Sequence, residues 1–399
     1  MRDPEHVLVI TYWSYADALV QTYTLPYLRI MLGVMPEGSS IHIVTLEKDG
    51  NEDPVQEAGI IHHPYAYHSL GIRGSFMIIG LVRSLVSVVR RSSITTIHAW
   101  CTPAGMIGYL VSKITGRRLV LDSYEPHAEA MVENGTWSSG GFAFRILFLF
   151  ERLQSKRASV LIAATEGMRD YAKKKYGITD KPFYVKPACV DLKKFSAKDR
   201  KDPELLRSMG LEEKFVIVYA GKFGGIYLDK EVFEFLREAY DHWGTRVQVL
   251  LLTGHTLQEL MPWIEQVGLP QEIFTIKFVS HADIPRYMGL GDVALTPVRP
   301  VPTKRYCTPI KDGEYWALGL PVIITAGISD DSDIIAAKGI GAVLEGLDQR
   351  SYRKALRTID HLLATHTPDQ RYRTVRAVAE KYRTFDIAKA IYEDVYGEK

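Results

Sequence analysis

The feature that most constrains this fold is an alternation. Short β-branched runs are separated by amphipathic helical stretches, and the pattern stops near residue 190 and restarts at Phe215. Such alternation builds a parallel sheet, because each crossover between parallel strands needs room for a helix. In the first half His6 to Ile10, Ser40 to Leu46, Thr95 to His98, Arg118 to Leu121, Val160 to Ala164 and Pro182 to Pro187 read as strands. Phe76 to Arg91, Ala104 to Thr115, Phe142 to Lys156 and Glu166 to Lys175 read as helices. Phe215 to Ala220, Val247 to Thr253, Phe274 to Val279, Val293 to Pro297 and Pro321 to Thr325 give a second set of strands, with Glu231 to Tyr240 among their helices. Val190 to Pro203 reads as a polar linker, and Tyr372 to Tyr396 is helical by period. A chain of 399 residues exceeds one ordinary core. The expected class is α/β, with two doubly wound Rossmann-like domains. These are residues 1–190, residues 200–375, and a helix over 376–399 crossing back to the first domain. Sheets of this kind bind ligands at the carboxyl ends of their strands, so a cleft between domains is the expected site.

Charge and cysteine usage exclude several classes. The net charge is +2, which leaves no nucleic-acid footprint on the whole molecule. Residues 1–200 carry 24 Lys and Arg against 19 Asp and Glu, and residues 201–399 carry 25 against 28. The mildly basic first half suits either scattered solvated charge or an anionic acceptor or membrane surface. Cys101, Cys189 and Cys307 are far apart and form no metal or disulfide pattern. Arg2, Asp3 and Glu5 precede a short apolar run, which is wrong for a signal peptide. The run Phe76 to Val89 is interrupted by Arg83 and too short to span a bilayer. The expected location is the cytoplasm, at the inner face of a membrane if the Arg83, Arg90 and Arg91 helix and the Phe142, Phe144, Phe148 and Phe150 helix touch lipid rather than core. In His62-His63-Pro64-Tyr65-Ala66-Tyr67-His68 adjacent histidines point apart, so no metal site is expected there.

Two segments of the second half carry donor chemistry. Phe215 to Ala220 runs into Gly221-Lys222-Phe223-Gly224-Gly225, where glycines let backbone N–H groups approach a phosphate and Lys222 adds a charge. Many such βα turns hold no ligand, and no Walker spacing follows. In Cys307-Thr308-Pro309-Ile310-Lys311-Asp312-Gly313-Glu314, Thr308 and Pro309 mark a helix start and Gly319 its end. Lys311 then lies in the first turn, and Glu314 follows three residues on along the same face. A cation at phosphate distance and a carboxylate one turn deeper suit a nucleoside diphosphate, the carboxylate accepting from ribose hydroxyls. The alternative is an ordinary surface ion pair.

This segment resembles the donor-binding helix of GT-B glycosyltransferases, the retaining family-4 type in particular. Ala220-Gly221-Lys222, the run Tyr176-Gly177-Ile178 to Val190-Asp191 and Phe195, and Phe385-Asp386 resemble the family's other landmarks in the same order along nearly the whole chain. The resemblance implies a transferase moving a sugar from a nucleoside-diphosphate sugar to a saccharide or lipid-linked acceptor in polysaccharide or glycolipid synthesis, without metal or cofactor. Lys222 and Lys311 would contact the diphosphate, with Gly221 and Gly224 in the cradle, Lys230 as a second lysine and Glu314 at the ribose. The backbone near Phe278 to His281 would flank the base. Tyr306 stands where the family commonly has a glutamate at the donor sugar. Trp13-Ser14-Tyr15-Ala16-Asp17 stands at the family's Gly-Gly turn. A nucleotide-sugar epimerase or hydrolase of the same fold and a non-catalytic donor-binding partner protein are the alternatives.

On the acceptor side, Asp122-Ser123-Tyr124-Glu125-Pro126-His127-Ala128-Glu129 follows a strand and gathers three carboxylates and a histidine. The resemblance puts a histidine or acid of this loop at the reaction centre, so Glu125 and His127 are the catalytic candidates; a histidine exchanges protons near neutrality. A self-satisfied polar loop is the alternative. Tyr15 and Asp17, after the first strand, are the acceptor-binding candidates.

Overall fold

The computed structural model describes residues 3–17, 19–48, 55–67 and 72–397; His68 lies outside them. The chain forms two compact units, Met1–Lys186 with Asp386–Lys399, and Pro187–Phe385. The division therefore falls at 186/187 and 385/386, where the sequence suggested 190/200 and 375/376.

The first unit runs β1 (His6–Ile10), α1 (Leu25–Val34), β2 (Ser40–Glu47), β3 (Gln56–Glu57), β4 (Ile60–Ala66), α2 (Ile72–Arg91), β5 (Thr96–Trp100), α3 (Thr102–Thr115), β6 (Arg118–Tyr124), α4 (His127–Glu133), α5 (Phe142–Arg157), β7 (Val160–Ala163), α6 (Gly167–Tyr171) and β8 (Phe183–Val185). Its sheet has the order β3-β4-β2-β1-β5-β6-β7-β8, parallel except for the short β3 against β4. Strands β1 and β5 are buried along nearly their whole length, as continuous apolar runs covered on both faces must be.

The second unit runs α7 (Pro203–Ser208), β9 (Phe215–Ala220), α8 (Lys230–Trp243), β10 (Val247–Leu252), α9 (Leu257–Gln266), β11 (Phe274–Lys277), α10 (Ile284–Met288), β12 (Val293–Thr296), α11 (Ile310–Ala317), β13 (Val322–Thr325), α12 (Asp331–Lys338), β14 (Gly341–Leu344), α13 (Gln349–Thr365) and α14 (Pro368–Tyr382). Its sheet is parallel, in the order β11-β10-β9-β12-β13-β14. Two apolar clusters fill its opposite faces, one around Trp316, Val218 and Ile324, the other around Phe233, Leu236 and Leu251. The α/β, doubly wound reading is thus correct for both units.

Two local expectations are contradicted, and one strand was not expected. Val190 to Pro203 is no free linker, because Val190 and Phe195 are buried in the core of the second unit. The tail is two helices, α14 and α15 (Phe385–Tyr396), broken at Arg383-Thr384. Strand β4 carries the adjacent histidines, with His62 buried and His63 half-buried on opposite sides. Among the described residues no group of His, Cys, Asp or Glu is arranged to hold a metal.

Within the first unit α15 is tied to the sheet by a buried cation. The Lys186 ammonium lies 2.8 Å from Asp122 Oδ2 and donates to Tyr392 Oη at 2.8 Å. It sits 3.9 and 4.0 Å from the ring centroids of Tyr27 and Trp100. His98 completes the group, 3.2 Å from Asp122 and 2.7 Å from the Tyr396 hydroxyl. Burial pushes the Asp122 carboxyl up, but Lys186 and His98 together hold it down at about 2. Burial pushes His98 down, so its imidazole is neutral.

Candidate functional site

The order of the second sheet reverses between β9 and β12. Doubly wound sheets open a crevice at such a point, at the carboxyl ends of the strands. Two of the sequence-selected segments follow these strands. After β9 comes Gly221, where a Cβ would lie 2.7 Å from the Tyr219 hydroxyl, a distance real Cβ atoms do not show. Gly224 and Gly225 have φ of +80° and +66°, which favours glycine. Tyr219 Oη donates to the Lys222 carbonyl at 2.6 Å and fixes the turn. The Lys222 side chain is exposed. Lys230, also exposed, is the first residue of α8, capped by the Asp229 carboxylate.

After β12 the chain pairs with this turn: Leu228 N donates to Pro297 O at 2.8 Å and Arg299 N to Ile226 O at 2.9 Å. Helix α11 follows. Its N-cap is Pro309, which has no side-chain acceptor with which to cap the first turn. Lys311 Nζ and Glu314 Oε2 are 2.6 Å apart, with side-chain exposures of 36% and 6%. Two further residues of the helix anchor it. Tyr315 is buried and its hydroxyl accepts from Ala220 N–H at 2.9 Å, fixing α11 against the end of β9. Asp312, fully buried, accepts from the Thr296 hydroxyl at the end of β12.

Behind Asp312 lies a second buried charge group. Arg383 Nη2 donates to Asp331 Oδ1, and the guanidinium stands 5.2 Å from the Trp316 ring centroid. Burial and then the neighbouring Asp331 push the Asp312 carboxyl well up, and burial pushes Asp331 up as well. His281, beyond β11, shares this neighbourhood. Burial lowers its pKa, Lys194 lowers it further, Glu314 opposes and Lys311 adds to the fall.

In the first unit the corresponding reversal lies between β1 and β5. Cys101, directly after β5, has φ +76°, a region that costs a non-glycine residue strain. The chain after β1 carries Tyr15 and Asp17. Tyr15 N–H donates to Glu47 Oε1 at 3.0 Å, and the ring lies 4.4 Å from the His62 ring. Glu47 is buried and also accepts from Thr45, whose hydroxyl is 2.7 Å from His62 Nε2. Asp17 accepts from Leu19 N–H at 2.8 Å.

Strand β6 loses register between Leu121 and Tyr124, with Ser123 at φ +49°, and then delivers Glu125 and His127. These two are 3.5 Å apart (Nδ1 to Oε1), each about one-third exposed. Behind them the buried Glu151 of α5 accepts from Ala128 N–H at 2.8 Å and from Tyr176 Oη–H at 2.9 Å. Burial pushes Glu151 up to about 7. The sequence therefore brings together Lys311 with Glu314, and Glu125 with His127. It did not single out Glu47, Glu151, Asp312 or Tyr315, each of which has a partner far away along the chain.

Comparison with known proteins agrees with this architecture. Residues 27–187 match the family model of the glycosyl transferase 4-like domain. Over the whole length the fold is similar to a sucrose-phosphate synthase from Thermosynechococcus elongatus, with TM-score 0.75, 13% identity and 98% of each chain covered. It is similar to WaaG, a glycosyltransferase involved in lipopolysaccharide biosynthesis, with TM-score 0.71, 15% identity, and 98% of this chain and 100% of that one covered. Anabaena HepE in complex with UDP matches with TM-score 0.69, 15% identity, and 98% and 99% covered. No curated protein matches the sequence.

Proposed function

We infer that this chain, a GT-B glycosyltransferase whose first unit carries a glycosyl transferase 4-like domain, moves a sugar from a nucleoside-diphosphate donor to an acceptor hydroxyl with retention of configuration, in polysaccharide or glycolipid synthesis. The observation that carries the donor class is the Lys311–Glu314 pair on an α11 pinned through Tyr315 and Asp312 beside the Gly221 to Gly225 turn. In this reading the leaving diphosphate lies at the first turn of α11. Lys311, Lys222 and backbone N–H groups neutralise the charge that builds up as the glycosidic bond breaks. The buried Glu314 carboxylate accepts from the ribose hydroxyls, and the stretch Phe278 to His281 flanks the base. Structures of similar fold hold UDP and UDP-glucose, which favours uridine. Glu125 and His127 are the catalytic candidates on the acceptor side, His127 holding the acceptor hydroxyl in place by a hydrogen bond and Glu125 orienting His127; Tyr15 and Asp17 bind the acceptor. Retention follows if the acceptor proton passes to the leaving phosphate on the same face, a step that asks no nucleophile of the protein. No helix among the described residues is long and apolar enough to cross a membrane, so a lipid-linked acceptor would be met at a surface.

Calorimetry with UDP, GDP and ADP tests the site. Uridine diphosphate should bind tightest, and Lys311→Ala and Glu314→Ala should each weaken it by roughly 30-fold, the worth of one charge-assisted contact. Unchanged affinity in both variants would remove the donor site. Turnover of donor with no acceptor present would favour an epimerase or hydrolase, and binding with no turnover a partner protein.

A further inference from the structure

Helix α5 inverts the usual order: the face it buries is largely polar and the face it exposes carries an apolar stripe. At 3.6 residues per turn Leu147, Glu151 and Ser155 point inward, and all three are buried. Phe142, Ile146 and Leu149 point the opposite way and are 81%, 37% and 48% exposed. Arg145, Arg152 and Lys156 run along one edge of this outward stripe, all exposed. An ordinary surface helix would turn polar residues outward here.

The neighbouring helices repeat the combination. Helix α3 packs between α2 and α5. It exposes Lys113 beside Ile114, which is 56% exposed, while α2 exposes Arg83 and half of Ile79. By sequence α2 has four arginines and no acid, and α3 one lysine and no acid. Glu151 is the one carboxylate of α5, and it is turned inward to cap α4 at Ala128. This helix layer is therefore cationic outward although the whole chain is nearly balanced.

We propose that the α5 face, with the exposed residues of α2 and α3, docks on an anionic lipid bilayer. Phe142, Ile146 and Leu149 enter the headgroup boundary, and the flanking arginines and lysine pair with lipid phosphates. A second copy of the chain fits poorly, because a two-fold contact would press one set of cations against the other. The proposal goes beyond the donor site and stands without it. Its tie to the proposed reaction is that Glu151, on the inner face of the same helix, holds the helix that begins at His127.

The test is flotation of the full chain with phosphatidylcholine vesicles, with and without roughly 30% phosphatidylglycerol. The protein should partition onto the anionic vesicles on the order of tenfold better than onto neutral ones, and raising salt from about 0.1 to 0.5 M should weaken this. Arg145→Gln and Arg152→Gln should each cost about fivefold. The double change Phe142→Ser with Leu149→Ser should cost about tenfold or more, with circular dichroism and melting unchanged. Lys338→Gln and Arg350→Gln, which remove exposed charge from the second unit, should cost nothing. Absence of wild-type binding, or equal binding by the α5 variants, overturns the proposal. So does a dimer in sedimentation velocity that the Phe142 and Leu149 changes dissolve while vesicle binding persists.

Discussion

Each unit buries one cation against carboxylates, and the two clusters do different work. In the first unit Lys186 faces one ionised acid, Asp122, and its surroundings are complete: Tyr392, two aromatic faces and His98 behind. That cluster is a lock, joining α15 to the sheet. In the second unit Arg383 donates to Asp331, burial pushes both Asp331 and the neighbouring Asp312 up, and Asp312 is itself part of α11. That cluster is a seat, holding through Asp312 the helix that carries Lys311 and Glu314. A buried ion pair is therefore not a single device. A fully ionised pair resists removal of either member, whereas acids pushed toward the neutral form can absorb a loss by taking up a proton.

The comparison is most open to attack through the cations. Lys186→Met should cost about 3–5 kcal/mol in urea unfolding, since it strands the ionised Asp122 among apolar rings. Arg383→Met should cost less, about 2 kcal/mol, because burial already pushes Asp331 and Asp312 toward the neutral form. Equal losses would show the clusters to be equivalent. Acid titration of stability sharpens the point with opposite signs. Asp122 is held at about 2 against an ordinary 3.8, so its contribution is present above 3.8 and lost as pH falls through 2. The loss is about 2 kcal/mol, and Asp122→Asn should flatten that limb in thermal melts. Asp312 is shifted upward, so its contribution is full below 3.8 and declines as pH rises through its folded value. Asp312→Asn should therefore remove a decline on the other side, and the same slope in both variants would refute the assignment. Tyr392→Phe is the smallest change. Losing one hydroxyl between Lys186 and Asp122 should cost about 1 kcal/mol, read from the urea midpoint.

Much of the fold was legible because parallel strands are continuous apolar runs. Phe215–Ala220 matched residue for residue. Strand β4 was missed because Ile-Ile-His-His-Pro-Tyr-Ala breaks the apolar run, and only the fold gives His62 its partners Thr45 and Val55. The interruption between α14 and α15 has no glycine or proline to announce it. Arg383 ends α14 because its guanidinium is drawn inward to Asp331, a partner 52 residues away. The Lys311–Glu314 pair was readable from spacing alone, since three residues on a helix is a local matter. Asp312, between them, looked like another surface acid. Its role depends on Thr296, Asp331 and Arg383, and no local pattern reports those contacts.

The first unit is discontinuous along the chain: its sheet is complete by Val185, but α15 arrives only after the whole of the second unit. On a ribosome the order of completion is therefore inverted. The second unit can close on itself while Lys186 and Asp122 still wait for Tyr392, and the half that was begun first is finished last.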